Sequence, residues 1–243
     1  MAIRMIWTEI KLLAREPLTL LLSLAFPVLL LVLLAYSFGN EPDPEFGNIG
    51  DTDFYVPVYA AATITVMGFL GVPTHLAAYR ERGVLRRFRA AGVRASVLLS
   101  AQVVVTLLIV ALGSAAMMLI GFTAFDLRAP KSVSGVVVGF VIGTLAFAAL
   151  GVLLGSLLPT ARAAQGLGLL LFFGLFFIAG GGPPPSILPD EINTLVDVTP
   201  MGPLMDAVSD PWHGAGTNVA ALVVLGTIAV VTAVLATIRL AKT

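Results

Sequence analysis

The side chains of this chain that could do chemistry gather in one stretch. Tyr79 to Arg94, YRERGVLRRFRAAGVR, holds six arginines (Arg80, Arg82, Arg86, Arg87, Arg89 and Arg94) against one acid, Glu81, although the 243 residues contain only fourteen Lys and Arg in all. Two readings of this island stand side by side. Arginines beside long apolar runs mark the cytoplasmic face of any protein that crosses a membrane several times. Their order adds something that topology does not require. Leu85, Phe88 and Ala91 recur at helical spacing with arginines on most other positions, which gives a short amphipathic helix lying along a membrane surface or against a soluble partner.

Other chemistry is excluded by what the sequence lacks. There is no G-x-x-x-x-G-K-[ST] phosphate loop, and the three lysines, Lys11, Lys131 and Lys242, stand in no such setting. H-E-x-x-H, G-x-S-x-G and metal-spaced clusters of His, Asp and Glu are also missing, so no catalytic residue and no metal site is assigned. With no cysteine, disulfides, thiolate metal sites and thiol nucleophiles are excluded together. Net charge is zero, so no overall field draws the chain to nucleic acid.

The elements that must position the arginine island are membrane spans. The chain is 58% hydrophobic and 12% charged, with a mean hydropathy of +1.00, where a soluble domain has roughly 45–50% apolar and about 25% charged residues. The expected fold is an all-α integral membrane protein with six transmembrane helices at about 18–38, 54–79, 97–122, 133–158, 166–182 and 217–238. The first apolar run lacks a small-x-small cleavage site and is long enough to span, so residues from Met1 onward are expected to be retained. Ile3, Ile6, Trp7, Ile10 and Leu13 share one helical arc, which suggests an interfacial helix over 2–15; a plain lead-in is the other reading. Pro27 is expected to kink the first span, and Pro57, Gly68, Gly71 and Pro73 to interrupt the second, its inner half most.

Several single features have two readings. His75, one turn before Arg80, is either an interfacial or helix-bonded histidine or part of a proton relay, and no partner acids at depth support a relay. Gly135, Gly139 and Gly143, followed by Gly151 and Gly155, suit close helix contacts within one subunit or between two. Phe172, Phe173, Phe176 and Phe177 in span five are either packing and lipid-facing bulk or the lining of an apolar path. Gly180 to Pro185 must end that helix. The apolar pieces between 186 and 213 are too short to span and suit external or re-entrant helices.

Charge sorts by side. With both termini cytoplasmic, the cytoplasmic segments hold twelve Lys and Arg and three acids, and the external segments two Lys and Arg and eleven acids. That bias supports six spans in this orientation.

The island resembles the cytoplasmic loop of ABC-2 type transporter permeases, where an acid-x-glycine-threonine-leucine run precedes basic and apolar residues and then a proline. Glu81, Gly83, Leu85, Arg87 and Phe88 fall on that pattern; Val84 replaces threonine and Gly92 replaces proline. The layout of the whole chain is similar as well. The resemblance implies an exporter subunit in the plasma (inner) membrane, with a cytoplasmic coupling helix in 80–94 and extracellular re-entrant helices between spans five and six. It implies an ATP-binding protein partner in two copies, which holds the ATP and Mg while this chain binds no cofactor. It also implies a second permease subunit, identical or related. Arg80, Glu81, Arg82, Gly83, Leu85, Arg86, Arg87 and Phe88 would then couple to the ATPase, and Gly71 and Pro73 would form a hinge. The cargo expected is hydrophobic, amphipathic or lipid-like, with the four phenylalanines as its candidate path. Two other classes remain: a membrane scaffold or sensor whose basic loop docks a partner or anionic lipid, and an interfacial membrane enzyme, against which the lack of convergent acids and histidines counts.

Overall fold

The computed structural model describes residues 7, 11, 17–43, 49–90, 92, 95–182 and 188–242. Six of its helices are long and apolar enough to cross a membrane, and the protein is an all-α, multi-pass membrane protein. Helix α1 (17–38) joins Pro17–Leu20, a wide π-helical turn Leu21–Ala25, and Phe26–Phe38. Two-residue strands β1 (Pro42–Asp43) and β2 (Ile49–Gly50) pair antiparallel, Pro42 opposite Gly50. They lead into α2 (Asp51–Glu81), which contains a second π-helical turn, Met67–Gly71. The short α3 (Val84–Ala90) and the long α4 (Ala95–Ala124) and α5 (Val133–Leu157) follow. Then come α6 (Ala161–Gly181), α7 (Asp190–Asp197), α8 (Met201–His213) and α9 (Val219–Lys242). The expected 2–15 helix falls outside the described residues apart from Trp7 and Lys11, whose ammonium stands 5.2 Å from the Trp7 ring centroid.

α2 is the axis of the bundle. Every residue from 55 to 79 is buried; Ala60, Ala61, Ala62 and Gly68 let neighbours close in among its larger apolar side chains. It begins at Asp51, three residues before the expected start; Asp51 and Asp53 occupy its first turn, where acids face the positive end of the helix dipole. Its wide turn is held by glycines of two other helices. A Cβ on Gly151 of α5 would stand 2.6 Å from the Gly68 carbonyl oxygen, and one on Gly168 of α6 would stand 2.3 Å from that of Phe69. One on Gly155 would lie 2.9 Å from that of Pro73. Gly71 and Pro73, the expected hinge, are therefore fully buried, at a point where the backbone changes register from the wide turn back to the α-helix. Pro73, at the start of the following α-helical segment, has no N–H to continue the ladder.

The glycines of α5 serve two neighbours. Gly135, Gly139 and Gly143 meet Pro211, Ala207 and Leu204 of α8, while Gly151 and Gly155 meet α2. The stripe is thus used for packing inside one subunit. Because rising numbers on α5 meet falling numbers on α8, α8 runs antiparallel to α5, and α7 and α8 form a hairpin folded back along the bundle. Met201, Leu204, Val208 and Trp212 are buried in that seam.

The end of the bundle that carries the acids is closed by polar contacts. Asp53, 3% exposed, accepts the Arg128 backbone N–H at 2.8 Å and faces Arg128 Nε at 3.5 Å. Tyr55 donates its hydroxyl to the Gly182 carbonyl at 2.7 Å. The His213 ring stacks on Phe54 at 5.6 Å between centroids. Burial holds the His213 imidazole below its ordinary pKa, against the opposite pull of Asp53 and Asp210. Asp53→Ala leaves the Arg128 amide without this acceptor, so the folded protein is expected to lose about 1–3 kcal/mol. Thermal denaturation of the detergent-purified chain, followed by loss of monodisperse protein, measures it; an unchanged midpoint would remove this contact from the stabilising set.

Candidate functional site

The arginine turn is assembled at the opposite end, where α2 stops. Arg82 closes α2 with its N–H on the Ala78 carbonyl. Gly83 follows at φ +67°, the left-handed region that residues with a Cβ adopt at a cost. Nothing lies within 4 Å of where its Cβ would be, so glycine is needed there for the backbone angle and not for space. The reversed chain enters α3 with the Arg87 N–H on the Gly83 carbonyl.

Two neighbouring side chains at the end of α2 then grip the turn between α5 and α6. Arg80 Nη1 donates to the Ser156 carbonyl at 2.5 Å and the Leu158 carbonyl at 3.1 Å. These are orphan carbonyls at the negative end of α5, where a guanidinium is favoured. Glu81 Oε2 accepts the Ala161 N–H at 3.2 Å, at the positive end of α6. Thr160 caps the same helix, its hydroxyl accepting the Ala163 N–H at 3.2 Å. Opposite charges one residue apart thus meet opposite helix poles one turn apart.

The remaining candidates divide by exposure. Arg82, Arg86 and Arg87 are exposed, while Gly83 and Leu85 are half-buried, with Val84 and Leu85 packed against the core. A notch of about 170 Å³ opens between Arg80, Glu81, Gly83, Leu85, Arg86 and Pro159. α3 therefore presents a basic face outward on an apolar foot. The side chains of Phe88 and Arg89, and Arg94 entirely, lie outside the described residues. His75 is buried in the bundle, with its ring 4.5 Å from that of Tyr79.

The four phenylalanines separate. Phe172 and Phe176 are fully buried in an aromatic cluster with Phe26 at 5.8 and 6.2 Å, and Phe176 also lies 6.3 Å from Tyr59. Phe173 is half-buried and Phe177 is 44% exposed. Sequence reasoning missed the α5–α6 turn as the partner of Arg80 and Glu81. Its acceptors are backbone carbonyls and its donor a backbone N–H, which carry no residue signature. Pro159 followed by Thr160, a helix stop and a helix cap, marked only that a turn was there.

Six apolar helices, one of them buried among the other five, and an ordered basic turn at one end define a polytopic membrane subunit. The family model for the ABC-2 type transporter matches residues 2–210. The chain belongs to that family and is the permease subunit of an ABC-type transporter, which works with an ATP-binding subunit. No curated protein matches the chain significantly.

Proposed function

We propose that the chain exports a hydrophobic or amphipathic small molecule, lipid-like in character, across the plasma (inner) membrane. The basic end, with both termini, lies in the cytoplasm; the sorting of twelve Lys and Arg to that side supports this. Two copies of an ATP-binding protein, which hold ATP and Mg, dock on the arginine face of α3. A second permease subunit, identical or related, completes the assembly. The observation that carries the reading is the double grip of Arg80 and Glu81 on the α5–α6 turn. A push on α3 is passed both to the central helix it continues and to two further spans, while Gly71 and Pro73 allow the register change within α2. Phe173 and Phe177, the two phenylalanines with accessible surface, are the ones assigned to the cargo path.

The test is a mild-detergent pull-down of the tagged chain from its host, assayed for vanadate-sensitive ATP hydrolysis. A phosphate-loop ATPase is expected to co-elute and to be released by combined Arg82→Glu, Arg86→Glu and Arg87→Glu. Elution alone, or with a partner that hydrolyses no ATP, would favour the scaffold reading.

A further inference from the structure

The α7–α8 hairpin carries an acid into the bilayer. Along α5 the contacts step from Gly135 with Pro211 through Gly139 with Ala207 to Gly143 with Leu204. Continuing that ladder brings the hairpin tip to the level of Leu150, and Leu150 and Asp197 line the same groove. Leu150 lies about 25 Å along α5 from Val133 at roughly 1.5 Å per residue, so the tip is deep in the membrane. The groove holds about 460 Å³ between the tip and α9, within the range of small-molecule sites. It opens sideways, with Val198 77% and Val231 50% exposed.

Its walls are apolar, and its polar groups are all acceptors. Thr227 and Thr232 spend their single hydroxyl protons on the Val223 and Ile228 carbonyls at 2.8 and 2.6 Å, and Thr199 on the Val196 carbonyl at 2.8 Å. What these hydroxyls have left are lone pairs. Asp197 adds an acidic side chain at the last residue of α7, the negative end of that helix, where an acid is disfavoured and a cation favoured. None of the residues lining the groove is Lys, Arg or His. A site with an acid, acceptor oxygens and aliphatic walls complements a group that only donates, attached to an apolar body.

We propose that this groove binds a protonated amphipathic amine, its ammonium on Asp197 and its apolar part against Val224, Ile228 and Leu150. This rests on the export reading and narrows its cargo to cationic amphiphiles. The binding itself requires no ATPase.

The test uses the full-length chain in lipid nanodiscs, labelled by light with hexadecylamine bearing a diazirine, and with the alcohol of the same length. The amine is expected to label the Val219–Lys242 peptide, and Asp197→Asn to cut that labelling by at least about tenfold, the scale of one charge-assisted contact. Asp197→Glu should restore most of it, and the alcohol should label wild type and Asp197→Asn alike. Because Asp197 is exposed, the asparagine variant is expected to elute as folded protein. Equal amine labelling in wild type and Asp197→Asn would overturn the proposal. So would disulfide capture between two copies through Val198→Cys in place of labelling, which would make the groove a subunit contact. If no ATPase co-purifies but the amine still labels through Asp197, the export reading fails and the binding site stands.

Discussion

Gly139→Ala is expected to destabilise the protein by about 1–3 kcal/mol or more, the cost of overpacking a close helix contact. Its new methyl would stand 2.0 Å from the Ala207 carbonyl oxygen and 2.7 Å from the Ala207 carbonyl carbon. Those atoms are backbone, so no rotamer change relieves the clash; α8 must move off α5. The displaced surface includes Ala207, Leu204 and Val208, all buried in that seam. Gly226→Ala on α9 is the matched control, since nothing lies within 4 Å of its added Cβ. There the same substitution should be neutral, or stabilising by up to about 1 kcal/mol, as helix propensity alone dictates. Thermal denaturation of both variants in one detergent measures the contrast. Equal midpoints would mean that α8 sits loosely on α5.

That contrast shows where the sequence is legible and where it stops. Gly139 and Gly226 are both glycines inside apolar helices, and spacing separates only the first as part of a stripe. Which partner the stripe meets is decided by the fold. The six spans were legible because a bilayer demands long apolar runs whatever the neighbours are. The centrality of α2 was not. Its prolines, glycines and threonines make it the least apolar of the six spans, which reads as weakness, yet glycines of α5 and α6 seat against its backbone and it is the most buried of the six. The α7–α8 hairpin was legible as pieces too short to span. How far it reaches depends on the ladder of contacts with α5, so the meeting of Asp197 with Leu150 in one groove was hidden, and the sequence taken alone showed no charge in the core of any span. Phe172, Phe173, Phe176 and Phe177 form one stripe on paper; the first three lie 5.8, 5.9 and 6.2 Å from Phe26, and only the fold buries Phe172 and Phe176 while leaving surface on Phe173 and Phe177.

Cutting the grip of α2 on the α5–α6 turn should uncouple motion without removing the motor's docking face. Arg80→Ala removes the donor to two carbonyls and Glu81→Ala the acceptor of one N–H, while Arg82, Arg86 and Arg87 remain exposed on or beside α3. Hydrogen bonds with one charged partner contribute roughly 1.5–3 kcal/mol when shielded, and less here because Glu81 is exposed and Arg80 half-buried. A loss of about 1–2 kcal/mol raises the undocked population of the turn roughly five- to thirtyfold. Since the chain has no cysteine, spin labels at Ala90→Cys and Gly174→Cys, both exposed positions, report the distance from α3 to α6 without background and leave the docking arginines in place. With the grip intact the two elements move together, so that distance should stay narrow and unchanged when the complex is trapped with ATP and vanadate. In the Arg80→Ala, Glu81→Ala protein it should broaden and shift on trapping, although the ATPase still co-elutes. A distance that remains narrow in the double variant would show that α3 passes its motion through α2 alone. The clamp would then be a cap on two helix ends and not a transmission.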